Sequence, residues 1–144
     1  MIDECFLTAE IWASRLGGNQ DNGDGIGSGL ANWASSLCNR PTESQLTIFK
    51  ATLAEGLMNK IIDSHAWNPE DPKFGSYCRC LQVDYGAERV LSDAIEESGI
   101  ESELLPIKSR TQTNFGYVSC WFGYSAKEER IYVQNVPLMF HKKQ

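Results

Sequence analysis

Thr42-Glu43-Ser44-Gln45, followed by an apolar run, constrains this chain more than any other stretch. A threonine at a helix start accepts from the backbone N–H three residues on, and a glutamine at that third position reaches back to the threonine N–H. Behind this start Leu46, Phe49, Leu53, Leu57 and Ile61 recur every three or four residues, and Ile48, Met58 and Ile62 widen the face. Such spacing follows the helical period, not the strand period. It predicts a helix over 43–65 that serves as the main core helix. Gly56 in its interior costs up to ~1 kcal/mol relative to alanine, which predicts a close helix crossing there. Trp67-Asn68-Pro69-Glu70-Asp71-Pro72 then breaks the pattern, because two prolines cannot stand in a helix interior.

On the N-terminal side, Phe6, Ala9, Trp12, Ala13 and Leu16 predict a helix over 4–16, with Gly17-Gly18 as its stop. Asp3 and Glu4 sit where the positive end of the helix dipole favours acids. Leu30, Trp33, Ala34 and Leu37 predict a short second helix. Beyond the prolines the period changes. Residues 77–83 read as a strand. Residues 86–98 form a charged helix with a narrow stripe of Val90, Leu91, Ala94 and Ile95, ending at Gly99. Residues 104–110, 115–124 and 130–136 read as strands, the first bent at Pro106. On 115–124, Phe115, Tyr117, Ser119, Trp121 and Gly123 share one face, opposed to Val118, Cys120 and Phe122. The short link at 125–128 makes the last two strands antiparallel. The expected fold is α+β. An N-terminal helical layer packs on a mainly antiparallel sheet of about four strands, in the order β-α-β-β-β within the C-terminal half. At 144 residues a single domain is expected, helical over 1–66, sheet-forming over 77–136 and frayed over 137–144.

The net charge of −6 argues against general nucleic-acid binding. The charge is uneven: residues 1–83 carry −4, residues 84–104 carry −6 and residues 105–144 carry +4. An acidic helix therefore precedes a basic strand region. No run approaches the ~20 apolar residues that span a bilayer, and the acidic N-terminus does not resemble a secretory signal. A cytoplasmic protein without membrane attachment is expected. The five cysteines are scattered. Cys78 and Cys80 are spaced too tightly for a zinc knuckle, so reduced thiols are expected and no metal or cofactor is.

Four groups of residues could carry function. Asp21, Asn22 and Asp24 lie in the glycine-rich stretch 19–29, but Gln20 and Ala31 occupy the positions where a calcium loop needs its first and last acids. The same stretch follows a helix, not the strand that a dinucleotide fingerprint requires. A cysteine nucleophile would need a histidine, and only His65 and His141 exist to serve Cys38, Cys78, Cys80 or Cys120. Asp84 ends a strand just before a helix; it fits a helix N-cap or a ligand group, with Lys108, Arg110, Thr111 and Thr113 as companions for an anion. Finally Tyr117, Trp121 and Tyr124 share a strand face that is either core or a recognition surface, which Tyr85 and Tyr132 could extend. Two readings follow. One is a non-enzymatic binding or regulatory module acting through a protein partner or a second copy of itself. The other is a small enzyme or ligand-binding protein with a pocket between sheet and helices, using Asp84, Lys108, Arg110 and His65.

Overall fold

Helix α1 spans Ile2–Leu16, α2 Glu43–Asp63 and α3 Arg89–Ser98. Strands β1 Cys80–Val83, β2 Ser109–Thr113, β3 Tyr117–Phe122 and β4 Glu129–Tyr132 form one antiparallel sheet in the order β1-β2-β3-β4. Short 3-10 turns occupy Ser76–Arg79, Ser102–Leu104 and Val133–Asn135. The structure is a computed structural model and describes residues 1–17, 40–84, 86–123 and 127–135. The expected helix at 30–38, the stretch 19–29, Cys38, Tyr85, Tyr124, His141 and the tail 137–144 lie outside the described residues. No helix among those described is long and apolar enough to cross a membrane.

The capping box closes as expected. Gln45 N–H donates to Thr42 Oγ1 at 3.1 Å, and Thr42 N–H donates to Gln45 Oε1 at 2.9 Å. At the other end Ala66 N–H donates to Ile61 O at 2.9 Å and His65 N–H to Ile62 O at 3.1 Å. This pair of bonds is a Schellman motif, with His65 at the position that is usually glycine. His65 accordingly has φ +55°. The left-handed conformation costs an L-residue roughly 1–2 kcal/mol. Substituting His65→Gly is therefore expected to raise stability by about 1 kcal/mol, read as a higher urea midpoint with an unchanged slope.

Packing orders the helices differently from their sequence prominence. α2 buries Phe49, Leu53, Ala54, Leu57 and Ile61 against α1 and α3, while Ile48 and Ile62 face water. The Val90 side chain would lie only 3.1 Å from a Cβ placed on Gly56, so the close crossing is with α3. The helix laid on the sheet is α1. One flank of α1 (Cys5, Ala9, Trp12, Leu16) joins the main core with α2, α3 and β1. The other (Leu7, Ile11) packs on Val118 and Cys120. A helix covered on two flanks has no single apolar stripe, which is why Leu7 and Ile11 escaped the periodicity and Phe6, which shared the predicted helical spacing, is partly exposed.

The sheet's inner face is half polar. Ser109, Thr111 and Thr113 of β2 are all buried. Trp12 Nε1 donates to Thr111 Oγ1 at 2.9 Å. Thr8 Oγ1 donates to Glu4 O at 2.9 Å and lies 2.7 Å from Thr113 Oγ1, so Thr113 supplies the proton of the second bond. Thr111 and Thr113 were expected beside Asp84 as companions for an anion. They face α1 instead, because strand alternation puts them opposite Arg110 and Gln112.

Residues 76–79 are a 3-10 turn, not the start of a strand, and this turns Arg79 fully inward. Its guanidinium donates to Thr113 O at 2.7 Å and Pro72 O at 2.6 Å and lies over the Phe115 ring. Burial pushes its pKa below the ordinary value.

Candidate interaction surface

Strand alternation carries Cys80 and Gln82 of β1, Arg110 and Gln112 of β2, Tyr117, Ser119 and Trp121 of β3, and Arg130 and Tyr132 of β4 to the face away from α1. The register sets Arg110 opposite both Gln82 and Trp121, and Tyr117 opposite Tyr132. Among the described residues no helix is laid across this face. Tyr117 and Trp121 are half-buried and Tyr132 is exposed.

The aromatics here are braced by cations. The Arg110 guanidinium lies 4.2 Å from the Trp121 ring centroid, and Arg130 lies 5.2 Å from Tyr117. The Tyr117 and Tyr132 rings are 5.4 Å apart. Each such contact contributes roughly 0.5–1 kcal/mol at an exposed site and restricts the rotamers of its ring. Arg130 Nε also donates to Glu128 Oε2 at 2.9 Å, and Ser119 Oγ donates to the same oxygen at 2.9 Å. These bonds hold the Glu128 carboxyl below its ordinary pKa and raise that of Arg130. Arg130 was not singled out from the sequence. Its signal was its parity with Tyr132 on β4.

Asp84, Lys108 and Arg110 converge, as their positions at the strand ends suggested. Lys108 Nζ lies 2.7 Å from Asp84 Oδ1. All three line a shallow cleft of about 470 Å³ with Gln82 and Trp121. The cleft opens on the outer face of the sheet, whereas the space between sheet and helices is filled by the core. Asp84 is not the cap of α3. That role falls to Glu88, whose Oε1 accepts from Val90 N–H at 2.8 Å, while its other oxygen takes Lys60 Nζ at 3.2 Å. Four residues separate Asp84 from the helix start, too far for a cap. His65 stands exposed at the end of α2 and does not line the cleft.

The described cysteines are free. Burial pushes the Cys5 thiol up to about 12, the Cys120 thiol up to about 11, and raises that of Cys80, which Arg110 and Lys60 partly counteract. A raised pKa leaves little thiolate near neutrality. In native protein at pH 8, alkylation at the buried Cys5 and Cys120 is expected to be slower than at the partly exposed Cys80, by peptide mass spectrometry. Those two thiols are neutral when folded at a pH where the unfolded chain ionises. Stability should therefore hold below pH ~9 and fall as pH rises toward 11–12. Among the described residues no three His, Cys, Asp or Glu side chains are grouped to hold a metal ion.

Comparison with known proteins bears on this surface. A sequence model of the BTG family matches residues 30–131. Among solved structures, a variant of the C. elegans FOG-3 BTG/Tob domain superposes with a TM-score of 0.64 at 19% identity, covering 92% of this chain and 90% of that one. At that identity the likeness is one of fold, and it fits the helices and four-stranded antiparallel sheet. No curated protein matches by sequence.

Proposed function

The chain belongs to the BTG family, a family of small regulatory domains that act through protein interactions, and we propose that it works by docking a protein on the outer face of its sheet. Trp121, Tyr117 and Tyr132 supply the apolar contact area, and Arg110 and Arg130 the surrounding charge. The observation that carries this reading is the partial exposure of cation-braced aromatics on a sheet face that no described helix crosses. Tryptophan, tyrosine and arginine are the residues that dominate binding energy at protein interfaces. The net charge of −6 favours a protein over a nucleic acid as partner. The free cysteines suit a reducing, cytoplasmic setting. No catalytic role is assigned to Asp84, Lys108 or Arg110 in this reading, and the whole chain acts as one unit.

Affinity capture from the native cell tests it, with the wild-type chain compared with Trp121→Ala and Tyr117→Ala. Proteins retained by wild type should fall about tenfold or more on Trp121→Ala and severalfold on Tyr117→Ala, with both variants melting near the wild-type temperature. Identical capture by all three chains would refute the assignment of this face.

A further inference from the structure

A groove crosses the β1–β2 half of the outer face, and one of its cations has no ion-pair partner among the described residues. The cleft beside Trp121 meets a second of about 590 Å³, and the two share Gln82, Asp84 and Arg110. Two ion pairs line the combined groove: Lys108 with Asp84 at 2.7 Å, and Lys60 with Glu88 at 3.2 Å. Each cancels its own charge. Among the described residues Arg110 forms no ion pair; its guanidinium lies on the Trp121 ring, and its charge also helps to lower the pKa of the Glu128 carboxyl, which Arg130 pairs. A ring contact commits none of the guanidinium's five N–H donors to a directed bond.

We propose that this groove takes a short acidic segment of a partner protein, with a carboxylate of that segment paired to Arg110 and an adjoining apolar side chain lying on Trp121. This rests on the reading of the outer face as a docking surface and adds the chemistry of what docks. The planar fork of an arginine matches a carboxylate with two parallel hydrogen bonds. Trp121 beneath it already holds the guanidinium in the groove, so less freedom is lost on binding. The neighbouring carboxylates of Asp84 and Glu88 are neutralised by their lysines and leave the local balance at one positive charge. A polyanionic nucleic acid would need several uncommitted cations, and the described residues of the groove supply one.

The probe is a phage-displayed library of random peptides selected on the full chain. Recovered sequences are expected to carry an aspartate or glutamate beside an apolar residue. Replacing that acid by its amide in a synthetic peptide should weaken binding about tenfold, and Arg110→Gln should weaken the acidic peptide by the same factor. On the Arg110→Gln protein the acid-to-amide change should then cost nothing further. Recovery of peptides without acids, an acid-to-amide loss equal on both proteins, or recovery of no peptide from a chain that instead dimerises through Arg110 would each overturn the proposal. Arg110 is exposed, so a melting curve on Arg110→Gln confirms that the variant is folded. If capture of cellular partners depends on Trp121 but not on Arg110, the docking face stands and the acidic segment falls. If acidic peptides couple to Arg110 but cellular capture ignores both aromatics, the docking face falls instead.

Discussion

Trp12→Ala is expected to cost about 4 kcal/mol of unfolding free energy. Trp12 is fully buried where α1 meets both the helices and the sheet, and its ring meets Phe122 edge-on at 5.3 Å. Truncation leaves a cavity that the surrounding core, held from three sides, fills only in part. It also strips Thr111 Oγ1 of its donor inside the core. A domain of this size is stable by roughly 5–15 kcal/mol, so between about a quarter and four fifths of its stability would go. Trp12→Phe separates the two effects. It keeps most of the packing and loses the hydrogen bond, and should cost about 1–2 kcal/mol. Urea unfolding measures both. A loss under ~1 kcal/mol for Trp12→Ala would mean that α1 does not hold the sheet.

Gly75→Ala should cost about 3 kcal/mol. Gly75 has φ +69°, and an added Cβ would lie 2.8 Å from Ala66 Cβ and 3.0 Å from Ala66 Cα. The left-handed backbone alone costs alanine roughly 1–2 kcal/mol, and overpacking a buried contact adds roughly 1–3 kcal/mol. Ala66 cannot retreat, because it is fully buried and its N–H closes the end of α2. The 3-10 turn that aims Arg79 begins at the next residue, so the loss should come with faster hydrogen exchange over 76–79. An unchanged urea midpoint would show that the 64–75 connection is free to shift.

Much of the fold was legible from local pattern. The box at Thr42 and Gln45, the stripe of α2 and the alternation on β3 each depend on residues within a few positions of one another. The faces assigned to Tyr117 and Trp121 on one side and Val118 and Cys120 on the other followed from parity alone. The start of α3 was misplaced. Asp84 has the chemistry of a cap, but Gln82 O accepts from Glu88 N–H and Asp84 N–H donates to Gly86 O, so the chain turns back along β1 before the helix begins. Glu88 is a less common cap, and residue preference alone did not select it. Arg79 read as one more residue of a strand until the 3-10 turn removed it from the alternation.

The candidate surface was legible in its residues and not in its arrangement. Asp84, Lys108 and Arg110 could be named from their places at strand ends. Which of them pair could not, since Lys108 reaches Asp84 only after β1 and β2 are brought together across the whole of α3. That contact takes the Asp84 carboxylate and leaves Arg110 without an ion-pair partner among the described residues, and the proposed groove depends on it.

By itself the sequence determined helices α1 and α2, the strand parity of β3 and the α+β class, because these rest on hydrogen bonds and side-chain periods that repeat within a few residues. Only the tertiary structure decided which face of each element lies inside. Thr8 meets Thr113 across 105 positions and Trp12 meets Thr111 across 99. A threonine hydroxyl is as well satisfied by water as by a buried partner, so its residue type does not say which it will have. The packing of α1 on the sheet settled that. In covering the threonines of β2 it left Arg110 and Trp121 on the open side.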